Sequence, residues 1–290
     1  MNRVRLRLSA LAALAALLAV PALGAAAPKF DPSQEFKLDP YLNLKFGAID
    51  LSVNKAVVYL LVTTAILCIG GIVIVRAGMR QKPGKAQNVL EIAYEFAETQ
   101  VGRASLPAKA FPTWFPYIAT LFFFIAVNNL ISFIPFPISS ESGGLGFLPD
   151  FGLYAATANI NVTLTLAAMT FLLTHIVGVR AHGPLGYLKT LVPDAPGAVK
   201  PFIFVIEVLS QLLRLVSLSV RLFANLLAGH LLIIMAAGFT VLVGSYVGAV
   251  AIPFALFFYV FEWVLVAGLQ AFIFALLSGI YIGYAVEAPH

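Results

Sequence analysis

The fold is decided by residues 201–237, which read PFIFVIEVLSQLLRLVSLSVRLFANLLAGHLLIIMAA. This apolar stretch is nearly twice the length of about 20 residues that a helix needs to cross a bilayer. Glu207, Arg214 and Arg221 interrupt it at intervals of seven residues. Because seven residues of an α-helix bring a side chain back to within about 20° of its starting direction, the three charges share one face. The sequence therefore predicts a long membrane helix that carries a charged stripe.

Three further polar side chains share this face: Ser210, Ser217 and Asn225. An Arg at the centre of a membrane costs at least about 2.5–3.5 kcal/mol on insertion scales, so the stripe needs an explanation. One interpretation is structural, with Glu207 neutralising Arg214 so that the pair holds helices together. That interpretation leaves Arg221 without a partner in its own helix. An unpaired Arg in a membrane helix indicates a functional group that meets a carboxylate from elsewhere.

The composition places the whole chain in the membrane class. Of its 290 residues, 61% are hydrophobic and 11% are charged, a balance typical of a polytopic membrane protein. The formal net charge is +5, but the basic residues cluster in short loops beside apolar spans, so we expect no nucleic-acid partner. The single cysteine, Cys68, has no partner for a disulfide, and no metal-ligand spacing is present. We therefore expect neither a metal site nor a cofactor.

The N-terminal residues form a unit of their own. Arginines near the N-terminus precede an Ala- and Leu-rich run and the small residues ALGAAA. This pattern predicts a signal peptide over residues 1–24, cleaved after Gly24, and the alternative is an uncleaved first membrane helix. In either case residues 25–52 form an external segment and residues 53–290 the membrane domain.

Five apolar stretches predict membrane helices, at about 53–75, 114–133, 159–179, 201–237 and 249–286. The last two are so long that each either lies obliquely in the bilayer or breaks and spans it once with an extension. Gly238 and Gly244 between them predict a tight hairpin. The fold class is therefore an all-α polytopic membrane protein with about five membrane helices and a long, tilted C-terminal helical hairpin.

The loops indicate the orientation of these helices. The connections at 76–85 and 180–200 carry basic residues, which predicts a cytoplasmic location. The loop at 138–158 contains no Lys or Arg and is expected outside. Residues 86–104 read as an amphipathic helix with an acidic polar face, which favours a partner or solvent over anionic lipid.

Polar side chains also mark the last two spans. His230 lies nine residues after Arg221, about 180° around the helix and hence on the opposite face. Glu262 and Gln270 interrupt the final apolar stretch. Singly, each could be a helix–helix hydrogen bond worth about 0.6 kcal/mol in membranes. Five ionisable groups on two adjacent helices are instead the arrangement that a proton route with an electrostatic barrier requires.

These segments also resemble a known family. LLRLVSLSVRLFANLLAGH at 212–230 and LQAFIFALLSGIY at 269–281 are similar to the two signature segments of subunit a of F-type ATP synthases. NINVTL at 159–164 and NNLI at 128–131 fit as well, so the resemblance covers roughly residues 50–290. It implies an ion-translocating subunit that faces a rotating ring of c subunits and has no catalytic role of its own.

The resemblance also implies residue roles. Arg221 would be the essential arginine, with Asn225 and Gln270 as its polar neighbours. Glu207 would be a cytoplasmic-side channel residue, with Arg214 beside it near the cytoplasmic end. The acid and histidine pair of the external access path would be His230 and Glu262. Members of the family often place the second-helix group seven residues before the glutamine, whereas Glu262 precedes Gln270 by eight.

The implied partners are the c-subunit ring, the b subunits of the peripheral stalk, the F1 sector indirectly, and the lipid bilayer. The implied location is a bacterial inner membrane, with the mature N-terminus external and the C-terminus cytoplasmic. The alternative function is an ion-coupled secondary transporter, which would also place charges in mid-membrane. Neither paired inverted repeats nor a pair of Gly- or Pro-broken helices is evident for it. An intramembrane protease is disfavoured because no HExxH or comparable spacing is present.

Overall fold

The structure is a computed structural model that describes residues 38, 40, 42, 43, 45, 46, 49, 50, 52–76, 84–134, 154–191, 199–242 and 245–287. Within them, five helices are long and apolar enough to cross a membrane: Lys55–Val73, Phe111–Ile131, Ile160–His182, Lys200–Ala236 and Pro253–Val286. These spans confirm the all-α polytopic membrane class and the number of membrane helices. The predicted signal peptide lies outside the described residues.

A short hairpin precedes the first span. Strands β1 (Lys45–Phe46) and β2 (Ile49–Asp50) pair antiparallel. Helix α1 (Lys55–Arg76) begins directly after Asn54, whose side-chain oxygen accepts a hydrogen bond from the Val57 amide at 3.1 Å. Such a bond satisfies one of the amides that a helix N-terminus leaves free.

The amphipathic segment predicted at 86–104 is helical. Helix α2 (Lys85–Phe96) continues as a π-helical segment, Ala97–Gly102, and a final α-helical turn, Arg103–Ser105. Val89 and Ile92 on its apolar side are both 67% exposed. The described part of the chain therefore leaves the first turns of this apolar side uncovered, whereas Ala97 and Val101 further along are buried.

The next helices are bounded by capping residues. Helix α3 (Phe111–Ile131) has a proline in its first turn, where the missing amide is not needed. Helix α4 (Ile160–His182) is capped by Asn159, whose side chain accepts a hydrogen bond from the Asn161 amide at 2.9 Å. It ends at Gly183, whose φ of 72° suits glycine, and the short helix α5 (Pro184–Thr190) follows.

A long hairpin closes the chain. Helix α6 (Lys200–Leu242) has 43 residues and is roughly 65 Å long at 1.5 Å per residue, about twice the hydrocarbon core of a bilayer. The return arm contains α7 (Ser245–Phe261), a π-helical segment (Glu262–Val266) and α8 (Ala267–Val286). The predicted hairpin is confirmed, since α6 ends at Leu242 and the return arm begins at Ser245 and packs against it. Gly238 lies within α6, and Gly244 lies outside the described residues.

Helices α3, α4, α6 and α8 enclose the main core. Its buried members include Ile125 of α3, Ala167 of α4, Leu222 of α6 and Phe274 of α8. Hydroxyl groups also join these helices: the Thr170 hydroxyl lies 3.1 Å from that of Tyr117 and 3.4 Å from that of Ser278. Small and hydroxyl side chains at the contacts are typical of membrane helices, whose association gains nothing from hydrophobic burial within lipid.

Candidate functional site

The charged stripe of α6 faces away from the core. Arg221 and Asn225 are exposed, whereas Leu222 and Leu226, each one position further along the helix, are buried. The Arg221 guanidinium donates a long hydrogen bond of 3.5 Å to the Ser217 hydroxyl. Among the described residues it has no carboxylate within ion-pair distance. The structure thus leaves a permanent cation on the outer face of α6.

Two helical turns earlier, the stripe borders a cavity of about 440 Å³. Glu207 and Arg214 both line it, with 3.8 Å between a carboxylate oxygen and a guanidinium nitrogen. The Gln211 amide donates to Glu207 at 3.4 Å, and the Arg214 guanidinium lies 5.8 Å from the centre of the Tyr281 ring. Both charged side chains are partly exposed, so the pair is loose rather than a tight buried ion pair.

On the other side of α6, His230 and Glu262 meet in the interior. They are 2% and 4% exposed, and His230 Nδ1 lies 3.9 Å from a carboxylate oxygen of Glu262. The same Nδ1 lies 3.1 Å from the Leu226 carbonyl, which can only accept a hydrogen bond, so this nitrogen carries the proton of the neutral ring. His230 Nε2 and Glu262 Oε1 are buried without a hydrogen-bond partner. A histidine and a glutamate therefore each keep one buried polar atom that makes no hydrogen bond within the described residues.

Gly229 allows the Glu262 side chain to lie directly against α6. A Cβ placed on Gly229 would coincide with the carboxylate of Glu262. Only a residue without a side chain lets the acid approach α6 at this point. The ring of Phe133 covers His230 with 4.6 Å between ring centres, and the Tyr259 hydroxyl donates to the Phe133 carbonyl.

The π-helical segment accounts for the eight-residue spacing between Glu262 and Gln270. In a regular α-helix eight residues would leave the two side chains about 80° apart. The segment Glu262–Val266 has wider turns, which absorb the extra residue. Both Glu262 and Gln270 are accordingly buried, whereas Trp263, which stands seven residues before the glutamine, is 39% exposed.

Comparison with known proteins identifies the family of the chain. The family model described as ATP synthase A chain matches residues 57–283. The chain belongs to the ATP synthase A chain family. It is 34% identical over 262 residues to ATP synthase subunit a 2 of Prosthecochloris aestuarii, which covers 88% of this chain and 74% of the relative. It is also 34% identical over 271 residues to ATP synthase subunit a of Bradyrhizobium diazoefficiens, covering 90% of this chain and 100% of that relative.

Family membership and the five apolar helices together make the chain a membrane protein of ATP synthesis and ion transport. They support a role in proton translocation within the FO sector, as one component of the multisubunit complex.

Two buried amides of the NNLI segment, to which the sequence assigned no role, lie beside this site. Asn128 and Asn129 of α3 are fully buried. The Asn129 amide donates to the Ala267 carbonyl at 3.2 Å and accepts from the Thr157 hydroxyl at 2.8 Å. Both polar atoms of the Asn128 side chain lack a hydrogen-bond partner. The available signal was two adjacent amides in an otherwise apolar span.

Proposed function

We propose that the chain is the static subunit a of a rotary ATP synthase. It provides two aqueous half-channels to the carboxylates of a c-subunit ring, and Arg221 separates the two channels. The observation that carries the proposal is a permanent cation in a membrane helix, exposed and without an ion-pair partner among the described residues. Such a group needs a carboxylate from another chain.

The proposed mechanism follows from the energetics of charge in lipid. A ring carboxylate that faces lipid is neutral, because the ionised form loses its hydration there. Beside Arg221 the positive charge stabilises the ionised form, so the carboxylate releases its proton. After rotation past the arginine it is reloaded from the other half-channel. The fixed cation also repels a proton that would cross directly between the channels.

For the external half-channel we propose the buried polar groups on the far side of α6. His230 and Glu262 would pass protons inward, with Gln270 and Asn225 as the polar neighbours of Arg221. The support is chemical: both ionisable groups keep a buried atom without a hydrogen-bond partner. A buried polar atom without a partner is a place where a water molecule can bind, and ionisable groups joined by such water can pass on a proton.

For the cytoplasmic half-channel we propose the cavity that contains Glu207 and Arg214. A volume of about 440 Å³ is far more than one water molecule requires. Glu207 is the acidic side chain of this cavity, and the positive charge of Arg214, 3.8 Å away, partly offsets its negative charge.

The proposed partners are the c ring against the exposed stripe of α6, the b subunits of the peripheral stalk, and the F1 sector indirectly. The subunit would be non-catalytic, with ATP chemistry elsewhere in the complex. Each proton that moves down a potential of 100 mV supplies about 2.3 kcal/mol, so several protons are needed for each ATP.

We further propose a bacterial inner-membrane location with an external mature N-terminus and a cytoplasmic C-terminus, after cleavage near Gly24. Arg76, Arg180 and Lys200 stand at helix ends that the alternating direction of the spans puts on one side. Reporter fusions at positions 85, 145 and 290, with N-terminal sequencing of the mature chain, test the topology. A cytoplasmic reporter at position 145 would contradict it.

The decisive experiment compares the two arginines of the stripe. ATP-driven proton pumping and passive proton flux are measured in membranes that carry Arg221→Ala, Arg221→Lys or Arg214→Ala at matched expression. We expect Arg221→Ala to abolish pumping and Arg221→Lys to impair it severely, because a buried lysine can lose its proton whereas a guanidinium cannot. Arg214→Ala should be milder. Near-normal pumping by Arg221→Ala would refute the rotary function, and greater damage from Arg214→Ala would mean that Arg214 is the separating charge.

A further inference from the structure

The cavity at the cytoplasmic end holds a second proton-exchanging side chain besides Glu207. His175 of α4 lines it, together with Tyr187 of α5. The ring of His175 is only partly buried, and it lies between Phe171 and Tyr187 with ring-centre distances of 4.2 and 5.8 Å. The two aromatic neighbours hold the imidazole at the cavity wall.

The hydrogen bonding of His175 determines which nitrogen is free. Its Nδ1 lies 2.9 Å from the Phe171 carbonyl, four residues back in the same helix. Since a carbonyl oxygen only accepts, Nδ1 carries the proton of the neutral ring and Nε2 keeps its lone pair. His230 has the same arrangement with Leu226. Both histidines therefore present Nε2 as the proton acceptor.

The groups that face His175 across the cavity come from three helices. They are Tyr187 of α5, Glu207 and Arg214 of α6, and Tyr281 and Tyr284 of α8. Burial, and secondarily the negative charge of Glu207, raise the pKa of Tyr187 above its ordinary value of 10, so its phenol stays protonated. The Arg214 guanidinium has only hydrogen-bond donors and cannot accept a proton. His175 and Glu207 are left as the imidazole and the carboxylate of this cavity, two side chains that can take up and release a proton.

We propose that His175 is a proton-relay residue that carries protons between the cytoplasm and Glu207 through this cavity. The inference rests on the proposed function, in which Glu207 belongs to the cytoplasmic half-channel. A proton released from the Glu207 carboxyl group reaches His175 Nε2 through water and forms an imidazolium. The imidazolium then loses that proton from Nε2 to water on the cytoplasmic side. Throughout, the Nδ1 proton stays bonded to the Phe171 carbonyl, so the ring keeps its orientation.

The test uses inverted membrane vesicles that carry the whole complex, because their outer medium contacts the cytoplasmic face. Passive proton flux and ATP-driven pumping are measured while the pH of the medium is varied between about 5 and 8. His175→Asn is the informative variant, since its side-chain amide can still donate to the Phe171 carbonyl but does not titrate. His182→Gln is the matched control, because that histidine lies on the same helix and lines a different cavity.

We expect His175→Asn to lower the flux several-fold and to flatten its dependence on the pH of the medium, with His182→Gln unchanged. Imidazole added to the medium should restore flux to His175→Ala, because a free imidazole can replace the missing ring as a proton carrier. Wild-type flux and pH dependence in His175→Asn would overturn the relay. A uniform loss at every pH that imidazole does not restore would also overturn it, since that is the result of a purely structural role.

Arg221→Ala, assayed in the same vesicles, separates this inference from the function on which it rests. If Arg221→Ala abolishes pumping and His175→Asn behaves as wild type, only the relay fails. If Arg221→Ala pumps normally, the proposed rotary function itself fails.

Discussion

Both faces of α6 carry ionisable side chains, but those on one face are exposed and those on the other are buried. On one face Arg221 and Asn225 are exposed, and on the other His230 is buried against Glu262. Of the membrane-spanning part of α6, only 11% is buried within the chain, whereas 50% of the corresponding part of α3 is buried. One side of α6 therefore packs into the core of the subunit, and the described residues leave the other side uncovered.

Substitutions on the two faces should therefore have different effects on folding and on proton transport. Residues of the buried face pack against α4 and the return arm of the hairpin, so changes there that disturb packing should affect folding, and loss of the ionisable groups there should affect transport. Residues of the exposed stripe have few contacts within the chain, so changes there should affect transport alone.

The largest expected effect on assembly is at Gly229, on the buried side. Gly229→Ala places a methyl group where the Glu262 carboxylate lies, so either that side chain must swing away from its buried position or one of the two helices must shift. Overpacking of this kind costs about 1–3 kcal/mol, and we expect the upper end because the obstructed group is buried. The measurement is the yield of assembled complex and its loss on heating. Gly268→Ala is the control, since its added Cβ would meet no atom within 4 Å, and equal behaviour of the two variants would contradict the close approach.

The next effect concerns proton flow through the buried pair. Replacing His230 and Glu262 together by leucine removes both ionisable groups without leaving one of them unpaired, so assembly should be largely retained. We expect passive proton flux in reconstituted vesicles to fall about tenfold, equivalent to about 1.4 kcal/mol in barrier height. Thr165→Val, an exposed change on α4, serves as the control. Unchanged flux in the double variant would reduce the pair to helix-packing residues.

A smaller effect is expected at Asn129. Asn129→Leu removes the hydrogen bond to the Ala267 carbonyl and leaves the Thr157 hydroxyl without its acceptor. We expect a loss of about 1 kcal/mol in stability, measured by heating the purified complex. Adding Thr157→Val should recover part of that loss, because no buried hydroxyl is then left unpaired. If the double variant is no more stable than Asn129→Leu alone, the Thr157 hydroxyl has another partner.

The smallest effect on stability is expected on the exposed stripe. Arg221→Ala, which should abolish pumping, removes an exposed side chain whose one hydrogen bond measures 3.5 Å. Its effect on the thermal stability of the isolated subunit should stay within about 0.5 kcal/mol. A loss as large as that of Gly229→Ala would show that the arginine is part of the fold, and the contrast between the two faces would disappear.

Much of the fold could be predicted because membrane insertion depends on local composition. The five spans, the helix over 86–104 and the shared face of Glu207, Arg214 and Arg221 all follow from hydropathy and helical period. The hairpin also followed from the two long apolar stretches, but the exact end of α6 did not, because glycine is tolerated within a helix and neighbouring packing decides whether the helix continues through it.

The candidate site divides in the same way. The residues alone indicated that polar side chains interrupt the last two spans, that Arg221 and His230 point in opposite directions, and that the motifs resemble one family. Only the tertiary structure decided that Glu262 reaches His230 past Gly229, that a π-helical segment restores its register with Gln270, and that His175 shares a cavity with Glu207. The physical reason is range: helical period acts over a few residues, whereas these contacts join residues far apart in the chain and depend on how whole helices pack.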